Sequence, residues 1–314
     1  MFLGSCTGLN HLGDGGLDCS EGLNVFDLNA LPGGAVTHVH HTTSFFTKAH
    51  NIFIDTSSAR LYAVGTNTVN EGFVVLDIST PASPTLIQEI FCDQEVGQPF
   101  DDFYIHDVYV KNDTAYASHG FQGYYIWDLT NLPTVNMIDS YASANYNHSS
   151  WTNSTDEYIY YAEEVPKGKP MVVLERATMN FVTTFKDPIS TVESDITPHN
   201  PYVHEDTLYI SYYEDGLKAY DLSNPANPTL VGYYDTYPNN GDTYCCYDGN
   251  WGTYPFFDSG CLLASDIEHG LNTIKMINCA NPTTYYLDAD NDSFGDLNSS
   301  VAGCVQPNGY VTNS

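Results

Sequence analysis

The chain has 314 residues and a formal net charge of −30, from 39 acidic against 9 basic side chains. Such a charge repels phosphate and excludes nucleic acid as a partner. With 25 Tyr and 15 Phe, and no sustained 3.6-residue apolar period, helices should be few and the chain reads as all-β.

In chain order, residues 1–6 (MFLGSC) read as the second strand of a blade that lacks its first. The chain is therefore expected to be a fragment, or a mature form, of a longer exported protein. LGSC at residues 3–6 resembles a lipoprotein cleavage box, but no apolar run stands before it, so neither lipidation nor an intact signal peptide is expected. No transmembrane span is expected either.

From residue 22 a pattern recurs. GLNVFDL opens it at residues 22–28, and GFVVLDISTPASPTLIQEI at 72–90 gives it in full. GYYIWDLTNLPTVNMIDSY at 123–141 and GLKAYDLSNPANPTLVGYY at 216–234 repeat it, and GLNTIKMI at 270–277 is a faded copy. A second strand signal precedes each full copy: LYAVG at Leu61, TAYASHG at Thr114, LYISYYEDG at Leu208. YIYYAEE at Tyr158 and CLLASD at Cys261 belong to the same series. A third signal begins at a histidine: His50-Asn51, His106-Asp107, His148-Ser149 and His199-Asn200, spaced by 56, 42 and 51 residues. Asn250-Trp251 stands a further 51 residues on. The strands are tied by an Asp-x-Ser/Thr-x-x-Pro turn, in which side-chain oxygens accept backbone N–H groups and Pro presets φ.

Units of four short strands and roughly 40 to 50 residues are propeller blades. The reading is one β-propeller of five to six four-stranded blades over residues 1–279, with blades near 1–47, 50–91, 106–141, 148–186, 199–235 and 250–277. The first blade is incomplete, the last shows no clear fourth strand, and residues 280–314 form a short irregular acidic segment. In the fourth blade, VVLERATMNFV places Glu175 where other copies have Asp.

The eight cysteines point to an oxidising compartment, and the absence of a CxxC pair argues against zinc ribbons and thioredoxin-type sites. Cys6 and Cys19 flank a glycine-rich insertion, and Cys279 and Cys304 bracket the acidic segment, so these are the expected disulfides. Each would close a short polar loop, worth about 3 kcal/mol. The pairing of Cys92, Cys245, Cys246 and Cys261 stays open.

These motifs carry a resemblance. HNIFIDTSSARLYAVGTN at His50, YIHDVYVKNDTAYASHG at Tyr104, PHNPYVHEDTLYISYYEDGLKAYDLSNPANP at Pro198 and WGTYPFFDSGCLLASDIEHGL at Trp251 are similar to LVIVD-repeat propellers. Among those the chain resembles the choice-of-anchor B surface proteins of bacteria. The resemblance spans residues 22–277 and implies an exported propeller joined to an anchoring or sorting module, with no implied reaction. Residues 285–314 resemble the metal-binding motif repeats of bacterial surface proteins, which share Asp spacing with thrombospondin type-3 repeats; the Asp-Cys-Asp-Asp continuation is missing.

Three constellations could carry chemistry. Asp288, Asp290 and Asp292 occupy positions 1, 3 and 5 of a loop, with Phe294 placed to offer its carbonyl and Asp296 following. That pattern converges oxygens on Ca²⁺. Ser293 at the turn position and Ser299 at position 12 depart from an EF-hand, and the alternative is a solvated acidic linker. The blade-start histidines His50, His106, His148 and His199 could gather at a channel mouth and bind a transition metal or an anion. Propeller channels tend to keep such side chains apart, so the first reading is a fastener between blades. The cluster His38, His40 and His41 reads as a solvated edge, and His119, His204 and His269 look incidental. Strand-end carboxylates form the third set: Glu163 and Glu164, Glu214 and Asp215, Asp266 and Glu268.

Two functions follow. The first is a non-catalytic exported surface protein, extracellular or cell-surface, with a propeller scaffold for adhesion or ligand binding and a calcium-ordered C-terminal arm. Its cell-surface or matrix ligand is unknown. The second is a secreted propeller enzyme acting on polysaccharide through the rim carboxylates and aromatics such as Trp127, Trp151 and Trp251.

Overall fold

In a computed structural model, the described residues are 2–4, 21–69, 71–92, 104–188, 195–238, 247–277, 283–303, 306 and 309–313. Every regular element among them is a strand, and none is a helix long and apolar enough to cross a membrane. The chain divides into two compact units, Met1–Pro255 with Leu263–Asn272, and Phe256–Leu262 with Thr273–Ser314.

The first unit holds antiparallel sheets arranged like propeller blades. The opening sheet has three strands, β1 (Phe2–Gly4), β2 (Leu23–Asp27) and β3 (Thr37–Thr42). Four complete blades follow. The second is β4 (Asn51–Asp55), β5 (Arg60–Val64), β6 (Gly72–Asp77) and β7 (Thr85–Phe91). The third is β8 (Asp107–Lys111), β9 (Thr114–Ser118), β10 (Tyr124–Asp128) and β11 (Asn136–Tyr141). The fourth is β12 (Asn147–Thr152), β13 (Tyr158–Glu163), β14 (Met171–Glu175) and β15 (Asn180–Phe185). The fifth is β16 (Pro201–His204), β17 (Thr207–Ser211), β18 (Leu217–Asp221) and β19 (Thr229–Tyr234). A three-stranded sheet of β20 (Asn250–Tyr254), β21 (Cys261–Asp266) and β22 (Gly270–Lys275) comes last.

The repeat is visible in the hydrogen bonds. At the end of each third strand an aspartate turns the chain by accepting the amide two residues on: Asp77 from Ser79 at 2.7 Å, Asp128 from Thr130 at 2.9 Å, Asp221 from Ser223 at 2.9 Å. Asp27 does the same for Asn29. The hydroxyls of Ser79 and Thr130 together with their amides hold the carboxyls of Asp77 and Asp128 below their ordinary range, and the amide and hydroxyl of Ser223 do so for Asp221. In the fourth blade Glu175, one methylene longer, instead accepts the Thr178 hydroxyl at 2.6 Å. Just before each of these turns a bulge shifts the register with the outer strand, at Val25/Phe26, Val75/Leu76, Ile126/Trp127, Val173/Leu174 and Ala219/Tyr220. A bulge in one place in five sheets aims each outer strand the same way.

The middle strands are apolar on both faces because each blade lies between two others. In β5, Leu61 and Ala63 pack with Leu23 and Val25 of the opening sheet. The alternate residues Tyr62 and Val64 pack with Val108 and Val110 of the third blade. Tyr116 and Ile126 meet Ile159 and Leu174 across the next junction, and Tyr160 and Val173 meet Leu208 and Ile210 across the one after. A period of two thus yields two buried faces and no polar alternation.

The second unit contains one sheet, order β24-β23-β25, of β23 (Thr283–Leu287), β24 (Asp296–Gly303) and β25 (Tyr310–Val311). The sequence reading expects an irregular segment here. The TTYYL run, rich in β-formers and with Tyr285 buried, makes a central strand instead. Cys6, Cys19, Cys245, Cys246, Cys279 and Cys304 lie outside the described residues, and with them both expected disulfides.

Candidate functional site

The histidine of each repeat stands at the start of its blade's edge strand. His50 and His106 immediately precede β4 and β8, His148 is the second residue of β12, and His199 lies two residues before β16. The amides of His106 and His199 bond to Ser118 and Ser211 of the neighbouring second strand, both at 2.8 Å. The backbone therefore sets where each ring begins.

The rings form a continuous file. Centroids of His50 and His106 are 4.0 Å apart, His106 and His148 4.1 Å, and His148 and His199 4.0 Å. Trp251, from the sixth sheet, extends the file at 4.4 Å from His199. Three Nδ1 atoms reach the carbonyl of the next member: His106 to His148 at 3.1 Å, His148 to His199 at 3.1 Å, His199 to Trp251 at 2.6 Å; the Nδ1 of His50 instead meets the Tyr104 hydroxyl at 3.3 Å. A carbonyl only accepts, so those three Nδ1 atoms carry the proton and Nε2 is left as a lone-pair nitrogen. For His106, His148 and His199 each ring meets the next because the anchoring carbonyl belongs to the next histidine or tryptophan of the file; the sequence reading keeps such side chains apart, and here neighbouring histidine centroids are 4.0 to 4.1 Å from one another.

The residue after each histidine adds a second stitch. Asn51 donates to Asp107 at 2.6 Å, Ser149 to the His199 carbonyl at 2.5 Å, and Asn200 to the Trp251 carbonyl at 3.0 Å. Gly65 at φ 58° makes room, since a Cβ there would lie 2.5 Å from that of His50 and 2.7 Å from the Tyr104 ring.

Burial suppresses charge on two members of the file. It holds His148 well below the ordinary imidazole range, with the rings of His199, His106 and His50 adding to the effect. It pushes His199 down to about 3. Neighbouring rings are tilted by 45° to 53°, and at 4 Å a like charge on the next imidazole disfavours the charged form. A cavity of about 370 Å³ opens on them, walled also by Tyr202, Trp251, Tyr254, Leu263 and Leu271. Among the described residues lining it, none is a carboxylate.

With this geometry in view, the LVIVD repeat family model matches residues 68–90 and 202–236. These segments carry β6 with most of β7, and β16 through β19. The chain thus carries LVIVD repeats in these two segments. No curated protein matches it. Among solved structures, the chain is similar to a "putative 6-phosphogluconolactonase" from Bacteroides uniformis, at TM-score 0.62 and 11% identity over 95% of this chain and 80% of that one. It is also similar to a protein from Lactobacillus plantarum, at TM-score 0.58 and 11% identity over 94% of each chain. A functionally unknown protein from Desulfotomaculum acetoxidans matches at TM-score 0.46 and 10% identity over 73% of this chain, which spans only 62% of that one. At these identities the first two likenesses carry the fold and nothing more.

Neighbouring groups hold most of the rim carboxylates. Glu163 accepts from the hydroxyl of Ser143 and from Asn145 at 2.7 Å. Glu164 accepts the Tyr213 hydroxyl at 2.5 Å and lies 3.7 Å from His148 Nε2. Glu214 faces Lys167 at 3.5 Å, and burial raises its pKa. Asp215 is buried. Asp266 caps the amides of Glu268 and His269, and Glu268 accepts the Gly249 amide at 2.8 Å. Of the tryptophans, Trp127 is fully buried in a junction core and Trp151 stacks on Tyr109 at 4.0 Å; Trp251 alone of the three lines the cavity.

His38, His40 and His41 lie on the outer strand β3, where His41 contacts the Glu21 carbonyl at 2.7 Å. His119 is buried against Tyr125, and His204 ends β16. In the second unit, Asp288, Asp290 and Asp292 each bring a carboxylate oxygen within 4.8 Å of the others, on the loop between β23 and β24. Asp288 also accepts the amides of Asp292 and Ser293, at 3.1 and 3.0 Å. Ser293, where an EF-hand loop has Gly, takes φ 74°. Asp296 turns instead to Asn298 and Ser299 at the start of β24, and Phe294 is exposed. The sequence reading missed Tyr202, Tyr254 and Tyr213. A faint signal existed for two other aromatics, Tyr104 and Tyr146, each two residues before a file histidine.

Proposed function

We propose that this chain is a non-catalytic exported surface protein whose propeller is a scaffold for ligand binding or adhesion, with the histidine-lined cavity as the receiving site. The carrying observation is the cavity wall: imidazoles, aromatic rings and leucines, with no carboxylate among its described lining residues. Glycoside hydrolysis needs two opposed carboxyls across one bond, whereas here the rim acids are engaged by their own neighbours. Aromatic and aliphatic walls with a few fixed polar groups are what a small-ligand pocket uses. The acidic charge supports life in a calcium-rich exterior, where Asp288, Asp290 and Asp292, with Phe294 and Asp296 nearby, would hold Ca²⁺ and order the C-terminal arm.

Saturation-transfer NMR of the full chain against a panel of small aromatic, cationic and oligosaccharide compounds tests the reading. Binders are expected, and Trp251→Ala should abolish their signal. Hydrolysis of a polysaccharide by the wild type, lost in Glu163→Gln or Glu214→Gln, would replace this reading with the enzymatic one.

A further inference from the structure

The file of rings does more than fasten blades. One ligand atom from each of His106, His148 and Glu164 lies within 4.8 Å of the other two. The His148 Nε2 to Glu164 Oε2 distance is 3.7 Å, too long for a hydrogen bond. We propose that His106, His148 and Glu164 form a binding site for a borderline divalent transition ion, with Zn²⁺ as its representative, held by two imidazole nitrogens and one carboxylate.

Four features carry this. First, the Nδ1 atoms of both histidines are engaged by the backbone carbonyls of the next file members, at 3.1 Å each. Backbone capture of one ring nitrogen fixes the tautomer and turns Nε2 outward as a lone pair, the arrangement found around ligating histidines. Second, the carboxylate has its own support: Tyr213 donates to Glu164 Oε1 at 2.5 Å, leaving Oε2 toward His148. Third, both imidazoles are buried, at 4% and 3% exposure, so packing holds each ring in place. Fourth, Glu164 keeps 13% of its side-chain surface exposed, which leaves an approach for the ion and its fourth ligand. Tetrahedral Zn²⁺ with bonds near 2.0–2.2 Å sets its ligand atoms about 3.4 Å apart. His148 and Glu164 are already close to that spacing at 3.7 Å. The nitrogen-rich donor set selects this class of ion over Ca²⁺ or Mg²⁺.

The test uses the full chain, stripped with a chelator and titrated with Zn²⁺ against a chromophoric competitor. One tight equivalent is expected. Glu164→Gln should weaken it at least about 10-fold, and Tyr213→Phe, through the support of Glu164, by roughly 10-fold. His41→Gln, on the outer strand, should leave it unchanged. Co²⁺ in place of Zn²⁺ should give d–d bands without thiolate charge transfer, separating this site from one built on cysteines. His148→Gln is a second ligand variant; if it does not fold, Glu164→Gln, whose side chain is partly exposed, decides alone. Zn²⁺ affinity equal in wild type and Glu164→Gln, or no tight equivalent in the wild type, overturns the site. The titration uses no pocket ligand, so its failure would leave the proposed function standing.

Discussion

His148 donates its Nδ1 proton to the carbonyl of His199 at 3.1 Å while their rings stand 4.0 Å apart. One residue thus supplies both the acceptor that orients its neighbour and the surface against which it packs. The pair is 51 residues apart in sequence, so the contact joins two blades.

Removing a member should therefore cost stability as a core residue does. His199 is 1% exposed and touches His148 on one side and Trp251 on the other. His199→Ala deletes both packing surfaces and the donor to the Trp251 carbonyl. A loss of about 2–4 kcal/mol is expected, seen as a lower urea midpoint at unchanged m. His41→Ala, on an exposed strand, should change stability by no more than about 0.5 kcal/mol. Equal midpoints for the two would mean that the file contributes no stability.

Gly65→Ala should be costly as well. Its φ of 58° disfavours a side chain, and the new Cβ would lie 2.5 Å from that of His50. The expected loss is about 2–3 kcal/mol, from backbone strain with displacement of the first ring. Gly33→Ala, with open space around the position, serves as the control and should be close to neutral in the same thermal melts.

The buried His119 sets a pH response. Burial lowers its pKa from 6.5 to about 3. The unfolded chain then takes up a proton between those values that the folded chain refuses. Stability from this residue is complete above pH 6.5 and is lost as pH falls toward 3, by up to about 1.4 kcal/mol per pH unit. His119→Gln should flatten the fall of Tm with decreasing pH over that window. A slope identical to wild type would show that this ring charges freely in the fold.

Calcium is expected at the loop between β23 and β24. Asp288, Asp290 and Asp292 already converge there, yet Asp296 is turned to the Asn298 amide and the Ser299 hydroxyl. An incomplete oxygen set puts the affinity on the order of 10⁻⁵ to 10⁻³ M. Calorimetry should show calcium heat for the wild type and little for Asp290→Ala, along with calcium-dependent protection of the arm from proteolysis. Equal heats would leave the segment an acidic linker.

Much of this fold was legible because its signals are local. The Asp77, Asp128 and Asp221 turns are made within two residues of each aspartate, so they leave a fixed motif in the sequence. Glu175 broke that motif by one methylene, and its turn changed its bond accordingly. The site was less legible. Tyr213 and Glu164 meet from 49 residues apart, and Tyr213 does not recur at a fixed offset from the file histidines. The strands of the C-terminal segment were also missed, because a dense acidic run masked the short β-forming stretch beside it.

By itself, then, the sequence determined an all-β repeat architecture, the order of its strands and the position of one histidine at each blade start. These depend on period, turn chemistry and burial of apolar side chains, all set within a single unit. Only the tertiary structure decided that the histidines touch, that the Nδ1 atoms of His106, His148 and His199 are spent on carbonyls of the next unit, and that Glu164 comes to His148 while Glu214 faces Lys167. Those outcomes depend on how neighbouring blades pack edge to edge, a distance of a few ångströms between residues 40 to 60 positions apart, which no local pattern encodes.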